Sequence, residues 1–175
     1  MARKKKVQKI TSPVELPSSS LFSYRGDITI TVMHGNKKVR VIDGRNSGES
    51  PLFEYITYCL AGIFYPGKAP AYIRLFNNEE EITYYAIPTT LTPNFGIGSD
   101  GTSSYSYVVL TFNVASTALK PNSLNTLSFN TLKIYNKENI NNASNPSATL
   151  ELQDAESVTP GSNLIVAWKM TIQNA

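Results

Sequence analysis

Apolar and polar residues alternate strictly over residues 28–32, and the alternation resumes over residues 38–41. A period of two is typical of a half-buried β-strand, because successive side chains point to opposite faces of a sheet. Between the two runs lie Gly35 and Asn36, which both tolerate the positive φ that tight turns need. The pattern therefore predicts a β-hairpin.

One segment has helical spacing instead. Leu52, Ile56 and Leu60 recur every fourth residue. Pro51 suits the first position of a helix, and Gly62 offers a stop just after its end. These residues predict a helix of about three turns that covers one end or face of a sheet.

Most of the remaining apolar pattern predicts strands, and the last of these has the clearest alternation. The predicted strands are residues 71–76, 82–87, 105–114, 129–135, 149–152 and 164–172, while residues 88–104 and 136–147 are predicted as long loops. A doubly wound fold would need helices between strands, and only one is predicted. We therefore expect a mainly β fold: an antiparallel β-sandwich of about eight strands with one short α-helix, of which a jelly roll is one form.

The first 20 residues show no periodic apolar pattern and carry a basic cluster. The cluster consists of Arg3, Lys4, Lys5, Lys6 and Lys9. The other 166 residues hold 11 Lys and Arg against 13 Asp and Glu, a net charge of −2, so the basic character belongs to the N-terminus. We predict an extended N-terminal arm over residues 1–20 that becomes ordered against a partner, followed by one β-sandwich domain over residues 21–175.

Composition supports a folded, soluble chain. Its 175 residues leave room for one domain and a tail. Charged residues make up 17% of the chain, against about 25% in typical proteins, and 41% of the residues are hydrophobic. No apolar stretch follows the basic N-terminus, and none approaches the roughly 20 residues that span a bilayer. We therefore expect neither a signal peptide nor a membrane partner.

Histidine and cysteine, which often act in catalysis or bind metals, are few in this sequence. His34 is the only histidine and stands beside the predicted turn, where an exposed position is expected and no Ser-His-Asp site can be built around it. Cys59 is the only cysteine and lies on the apolar side of the predicted helix, so we expect it to be buried. One Cys and one His cannot complete a zinc site without several carboxylates. We expect no enzymatic activity, no cofactor and no metal.

Two other features leave alternatives open. The basic arm can neutralise nucleic-acid phosphates, or it can be a solubilising tail or dock on an acidic neighbouring subunit. We favour the second group because the remainder of the chain is acidic. Carbohydrate or base stacking is suggested by two tyrosine pairs, Tyr84 with Tyr85 and Tyr105 with Tyr107. Tyr105 and Tyr107 also share a strand face with Val109, so packing across the sandwich is an equally supported alternative for this pair.

Residues 43–75, DGRNSGESPLFEYITYCLAGIFYPGKAPAYIRL, carry a resemblance to known proteins. The segment resembles small virion proteins of tailed bacteriophages, including crAss-like phages, in which a loop with Asn and Gly precedes a short LF-containing helix that ends in Leu-Ala-Gly. A strand entered through proline follows. The closing strand, with Trp168 at its centre, is similar to the last strand of such proteins, and the basic arm fits subunits that reach across their neighbours.

The resemblance implies a non-enzymatic structural subunit of a phage virion, assembled in the host cytoplasm. It would be a capsid auxiliary or decoration protein, a head-fibre base, or a collar or tail accessory subunit. Its partners would be other virion proteins, in a homo-oligomer or symmetric array. Two further functions stay open: a genome-binding jelly-roll capsid protein with its arm on nucleic acid, and a carbohydrate-binding or adhesin module that uses Tyr84, Tyr85 or residues 88–104.

Overall fold

A computed structural model describes residues 22–60, 62–63, 65–89, 94–99, 104–120, 127–142 and 144–174. In these ranges the chain forms ten strands and one α-helix. The strands are β1 (Phe22–His34), β2 (Lys37–Gly48), β3 (Pro70–Asn77), β4 (Glu80–Glu81), β5 (Ile87–Pro88), β6 (Asn94–Ser99), β7 (Ser104–Val114), β8 (Leu127–Asn136), β9 (Ala148–Val158) and β10 (Asn163–Asn174). The helix α1 spans Ser50–Leu60, and short 3₁₀ turns lie at Pro66–Lys68 and Ser116–Ala118. The predicted arm, including its basic cluster, lies outside the described residues.

The strands form two antiparallel sheets that face each other as a sandwich. The first sheet has the order β6-β7-β10-β1-β2, and the second has the order β2-β9-β8-β3-β4, with β5 also paired to β3. Strand β2 belongs to both, because residues 37–46 pair with β1 whereas Ser47 and Gly48 pair with β9. The predicted mainly β antiparallel sandwich is confirmed, as are the first hairpin and the helix.

A chain of hydrogen bonds marks the point where β2 leaves the first sheet. The indole Nε1 of Trp168 donates to Oδ1 of Asn46 at 3.1 Å, and Nδ2 of Asn46 donates to the hydroxyl of Tyr24 at 3.2 Å. A Cβ atom on Gly26 would lie 1.7 Å from Oδ1 of Asn46, so only glycine fits opposite this side chain. The three side chains thus join β10, β2 and β1 around an apolar interior.

The core lies between the two sheets, and alternate residues of the long strands supply it. On β10, Leu164, Val166 and Trp168 are fully buried, as the alternation of this segment predicts. The other fully buried large side chains are Ile28, Ile30, Leu52, Ile73, Leu75, Phe112, Phe129, Leu132, Ile134, Tyr135 and Leu150. Leu52 places the first turn of α1 over this core, so the helix closes one end of the sandwich.

The strand predicted over residues 82–87 is wrong. The chain bends here and leaves only the two-residue strands β4 and β5 at either end. The amide of Ile82 still donates to Leu75 of β3, but Thr83 forms an isolated bridge with Leu119 and the amide of Tyr84 donates to Ala118, so the chain turns from β3 to another loop. Ile82 and Ile87 are buried, so their apolar character reflects the core and not a continuous strand.

The loop predicted over residues 88–104 is also partly wrong, because Asn94–Ser99 form β6 and pair with β7. Its glycines hide the strand pattern. A Cβ atom on Gly96 would lie 2.1 Å from a carbon of the Tyr107 ring, and one on Gly98 would lie 2.3 Å from the Tyr105 ring. The two rings occupy the space where side chains of β6 would normally stand, and this contact depends on β7.

Candidate interaction surfaces

Strand β6 is an edge of the first sheet. It pairs with β7 on one side, and among the described residues no strand pairs with its other side. Its sequence, NFGIGS, contains no charged residue, and the side chain of Ile97 is 84% exposed. A neutral strand at the edge of a sheet is a template for pairing with another chain, and soluble proteins usually block such an edge with charge or proline.

Ile97 continues the core-facing side of the first sheet. It lies opposite Ser106 of β7, which lies opposite Ile172 of β10, which in turn lies opposite Tyr24 of β1. Directly opposed residues share a sheet face, so these four side chains form one row. Phe53 of α1 contacts Tyr24 at one end of the row, whereas Ile97 at the other end is exposed.

An apolar groove with a volume of about 280 Å³ opens between α1 and this row. Its walls include Tyr55, Ile56 and Cys59 from the helix, and Tyr24, Met170 and Ile172 from the sheet. The groove and the exposed side chain of Ile97 lie on the same face of the first sheet, and we call them together the α1–β6 surface. The sequence offers one signal for it, the uncharged residues 88–99 within a loop between two predicted strands. The register that aligns Ile97 with the groove is not visible in the sequence.

Cys59 is exposed, so its predicted burial is wrong. It does stand on the side of α1 that faces the sheet, as predicted, but the groove opens beneath that last part of the helix. Burial raises the pKa of Tyr55 to about 12, and a hydrogen bond with Cys59 adds to the increase. A thiol and a neutral hydroxyl therefore stand together at the wall of the groove.

Ion pairs hold the opposite side of α1. Nζ of Lys68, in the first 3₁₀ turn, lies 2.6 Å from Oε1 of Glu54 and 3.7 Å from Oε2 of Glu138. The hydrogen bond with Glu54 raises the pKa of Lys68. These contacts link the polar side of the helix to the 3₁₀ turn of the same chain, whereas the groove side presents apolar groups.

The outer face of β6 is packed by aromatic rings. The rings of Tyr105 and Tyr107 cover the two glycines of the strand, and Nζ of Lys169 lies 5.4 Å and 4.4 Å from their respective centroids. Both tyrosines are half-buried. The pair packs over β6 within its own sheet and not across the sandwich, so the predicted place of this packing is wrong.

Tyr84 and Tyr85 lie at the other end of the strand path, in the bend between β4 and β5. Their side chains are 61% and 56% exposed, and Nζ of Lys120 lies 5.6 Å from the centroid of the Tyr84 ring. The two rings that the sequence suggests for stacking are therefore exposed in the structure.

The other candidate residues that the structure describes do not converge on a site. His34 is exposed at the hairpin turn, as predicted, with Nδ1 3.4 Å from Oγ of Ser162. In the part of the chain that the structure describes, no group of three or more His, Cys, Asp or Glu side chains is placed to hold a metal ion. Arg3, Lys4, Lys5, Lys6 and Lys9 lie outside that part.

The longest helix within the described ranges is α1, and its 11 residues are too few to cross a bilayer. Comparisons with protein-family models, with curated proteins and with solved structures find no match to this chain.

Proposed function

We propose that this chain is a non-enzymatic structural subunit of a tailed-phage virion that binds neighbouring virion proteins. The observation that carries the proposal is the α1–β6 surface, where a neutral strand edge, an exposed isoleucine and an apolar groove adjoin. Such surfaces are typical of contacts between proteins. The particle itself is proposed from the resemblance of residues 43–75, and the subunit is a capsid auxiliary, head-fibre base, or collar or tail accessory protein.

Subunit binding on this surface needs no catalytic group. A partner strand can pair with the edge strand β6 through backbone hydrogen bonds, while its side chains fill the groove. Each contact can be weak, because repeated copies in a symmetric particle multiply the overall holding strength. The acidic remainder of the chain and its basic N-terminus supply opposite charges for neighbouring copies.

Light scattering provides the test. The molar mass of the purified chain is measured alone and after mixing with capsid proteins and with neck proteins of the particle. We expect a complex with at least one of these, and we expect Ile97→Lys to weaken it because a charge would enter an apolar contact. Val39→Lys is the matched control, since Val39 is also exposed, at 57%, and lies near the hairpin at the other end of β1. A chain that stays monomeric and binds neither group of proteins contradicts the proposal.

The exposure of Tyr84 and Tyr85 favours a second function, a carbohydrate-binding module. Aromatic faces available to solvent can stack on sugar rings, and Lys120 beside Tyr84 adds a hydrogen-bond donor. A glycan array tests this function, with Tyr85→Ala as the variant that should lose binding. An array without any bound glycan contradicts it.

A further inference from the structure

We propose that the α1–β6 surface binds residues 10–21 of a second copy of this chain. The proposal rests on the proposed function, since it names one partner of the same surface. It follows from the position of the surface, from the position of the start of β1 next to it, and from the side chains of residues 10–21.

The N-terminal segment joins the fold at the rim of the groove. Strand β1 begins at Phe22, and Tyr24, two residues later, forms part of the groove wall. The pairing of Phe22 with Asn174 and of Tyr24 with Ile172 places the start of β1 beyond the outermost row of the groove. The first residue of β1 therefore lies next to the surface that residues 10–21 are proposed to bind in a neighbouring copy.

The segment has side chains that suit an apolar groove. Residues 10–21 contain Ile10, Val14, Leu16 and Leu21. Val14 and Leu16 are two positions apart, so both side chains point to the same side of an extended chain. Pro13 and Pro17 flank this pair and oppose a continuous helix through it, because proline lacks the amide hydrogen and clashes with the preceding turn. An extended segment with two aliphatic anchors matches the groove.

Strand direction favours a neighbouring copy over the segment's own groove. The described part of β1 runs from Phe22 towards Tyr24 at the groove wall, so a segment that filled the groove of its own chain would have to reverse direction before Phe22. Fully extended, 21 residues span up to about 70 Å, whereas a 150-residue domain has a radius of gyration of about 15 Å. The five positive charges of residues 1–9 are also attracted to the acidic remainder of another copy.

The single cysteine at the groove allows a direct test. A donor chain carrying both Leu16→Cys and Cys59→Ser is mixed with the wild-type chain under mild oxidation. Because the donor lacks the thiol at position 59, any disulfide between position 16 and Cys59 joins two chains. Disulfides form only when the two Cβ atoms approach to about 4 Å, so the yield reports docking. Peptide mass spectrometry identifies the linked residues.

The control donor carries Lys38→Cys with Cys59→Ser, because Lys38 is exposed near the hairpin at the far end of the first sheet. We expect the position-16 link at about ten times the control yield, since docking raises the local thiol concentration. We also expect Ile97→Lys in the receiving chain to reduce the link about tenfold, and Val39→Lys to leave it unchanged.

Equal yields for the two donors overturn the proposal. So does a link that forms only within one chain, measured with a Leu16→Cys variant that retains Cys59, because it would place the segment in its own groove. If the disulfide link is absent while the chain still binds capsid or neck proteins, residues 10–21 do not bind this surface and the proposed function stands. If the chain forms neither the link nor a complex with those proteins, the present proposal and the proposed function both fail.

Discussion

The two ends of the strand path are edges of opposite character. At one end, β6 offers six residues without a charge, and Ile97 is exposed. At the other end, β4 and β5 are only two residues long, and the run Glu79, Glu80 and Glu81 lies at the turn into β4. Short, charged edges resist pairing with other chains. The chain is therefore protected at one end only, and the unprotected end is where we place subunit binding.

Side chains of the same molecule also contact the charged residues of this protected edge. Nη1 of Arg74 lies 2.9 Å from Oε2 of Glu81, and Oγ1 of Thr83 donates to Oε1 of the same carboxylate at 2.8 Å. Nζ of Lys120 donates to the backbone carbonyl of Glu81 at 3.3 Å. Both carboxylate oxygens of Glu81 thus contact the same chain, whereas the exposed side chain of Ile97 is available to a partner.

Isoleucine truncation at the two edges gives the largest expected contrast. Ile82, next to β4, is 7% exposed and belongs to the core cluster, so Ile82→Ala should lower the free energy of unfolding by about 2–5 kcal/mol. Ile97→Ala should change it by less than about 0.5 kcal/mol, because the side chain is already in water. Urea denaturation of the monomer measures both values. A similar loss for the two variants would show that Ile97 is buried in solution.

Removing the carboxylate of Glu81 should have the next largest effect. Glu81→Ala leaves the guanidinium of Arg74, which is largely shielded from water, without its ion-pair partner, and we expect a loss of about 1–3 kcal/mol in the free energy of unfolding. Glu79→Ala is the control, since Glu79 is exposed in the preceding turn. An equal loss in the free energy of unfolding for the two substitutions would mean that negative charge at this edge stabilises the fold and that the ion pair with Arg74 does not.

Alkaline pH should weaken the protected edge through Tyr135. Burial raises the pKa of its hydroxyl to about 12, while Arg74, 5.9 Å from the ring centroid, opposes the increase. An unfolded tyrosine loses its proton near pH 10, so between pH 10 and 12 the folded state binds more protons and stability falls as pH rises. We expect Tyr135 to contribute a loss of about 1–2 kcal/mol in the free energy of unfolding across this window, measured by urea denaturation at each pH. Tyr135→Phe should lose that much less than the wild-type chain, whereas the contribution of Tyr55, whose pKa is also raised to about 12, remains in both. If Tyr135→Phe lost as much stability as the wild-type chain between pH 10 and 12, the loss would come from another group.

Local patterns in the sequence predicted the parts of the fold that depend on near neighbours. The alternation around Ile28 and Trp168 sets which side of each strand meets the core, and helical spacing with Pro51 predicts α1. These signals work because the periods of strand and helix are fixed by the backbone. They predicted the sandwich, its first hairpin and its closing strand.

The candidate surface depended on contacts between distant residues, which the sequence does not display. Gly96 and Gly98 are typical of a loop, and they form a strand because Tyr105 and Tyr107 from β7 cover them. Likewise, the exposure of Cys59 depends on how far the sheet extends beneath α1, and helical spacing says nothing about that.

The smallest expected effect concerns the outer face of β6. Lys169 stands over the Tyr105 and Tyr107 rings, with its Nζ 4.4 Å from the nearer centroid, and these rings cover the glycines of the edge strand. Lys169→Met keeps a long apolar side chain on the rings but removes the cation, so only the cation–π attraction is lost. We expect a decrease of about 0.5–1 kcal/mol in the free energy of unfolding.

Hydrogen exchange locates that loss. If the ammonium of Lys169 helps to hold the rings over β6, the amides of Asn94–Ser99 should exchange faster in Lys169→Met, while those in the middle of β1 keep their protection. Lys37→Met, at the exposed start of β2, controls for the loss of one positive charge. Unchanged exchange in β6 would mean that ring packing alone holds the open edge, and the edge would then differ from its protected counterpart only in lacking charge.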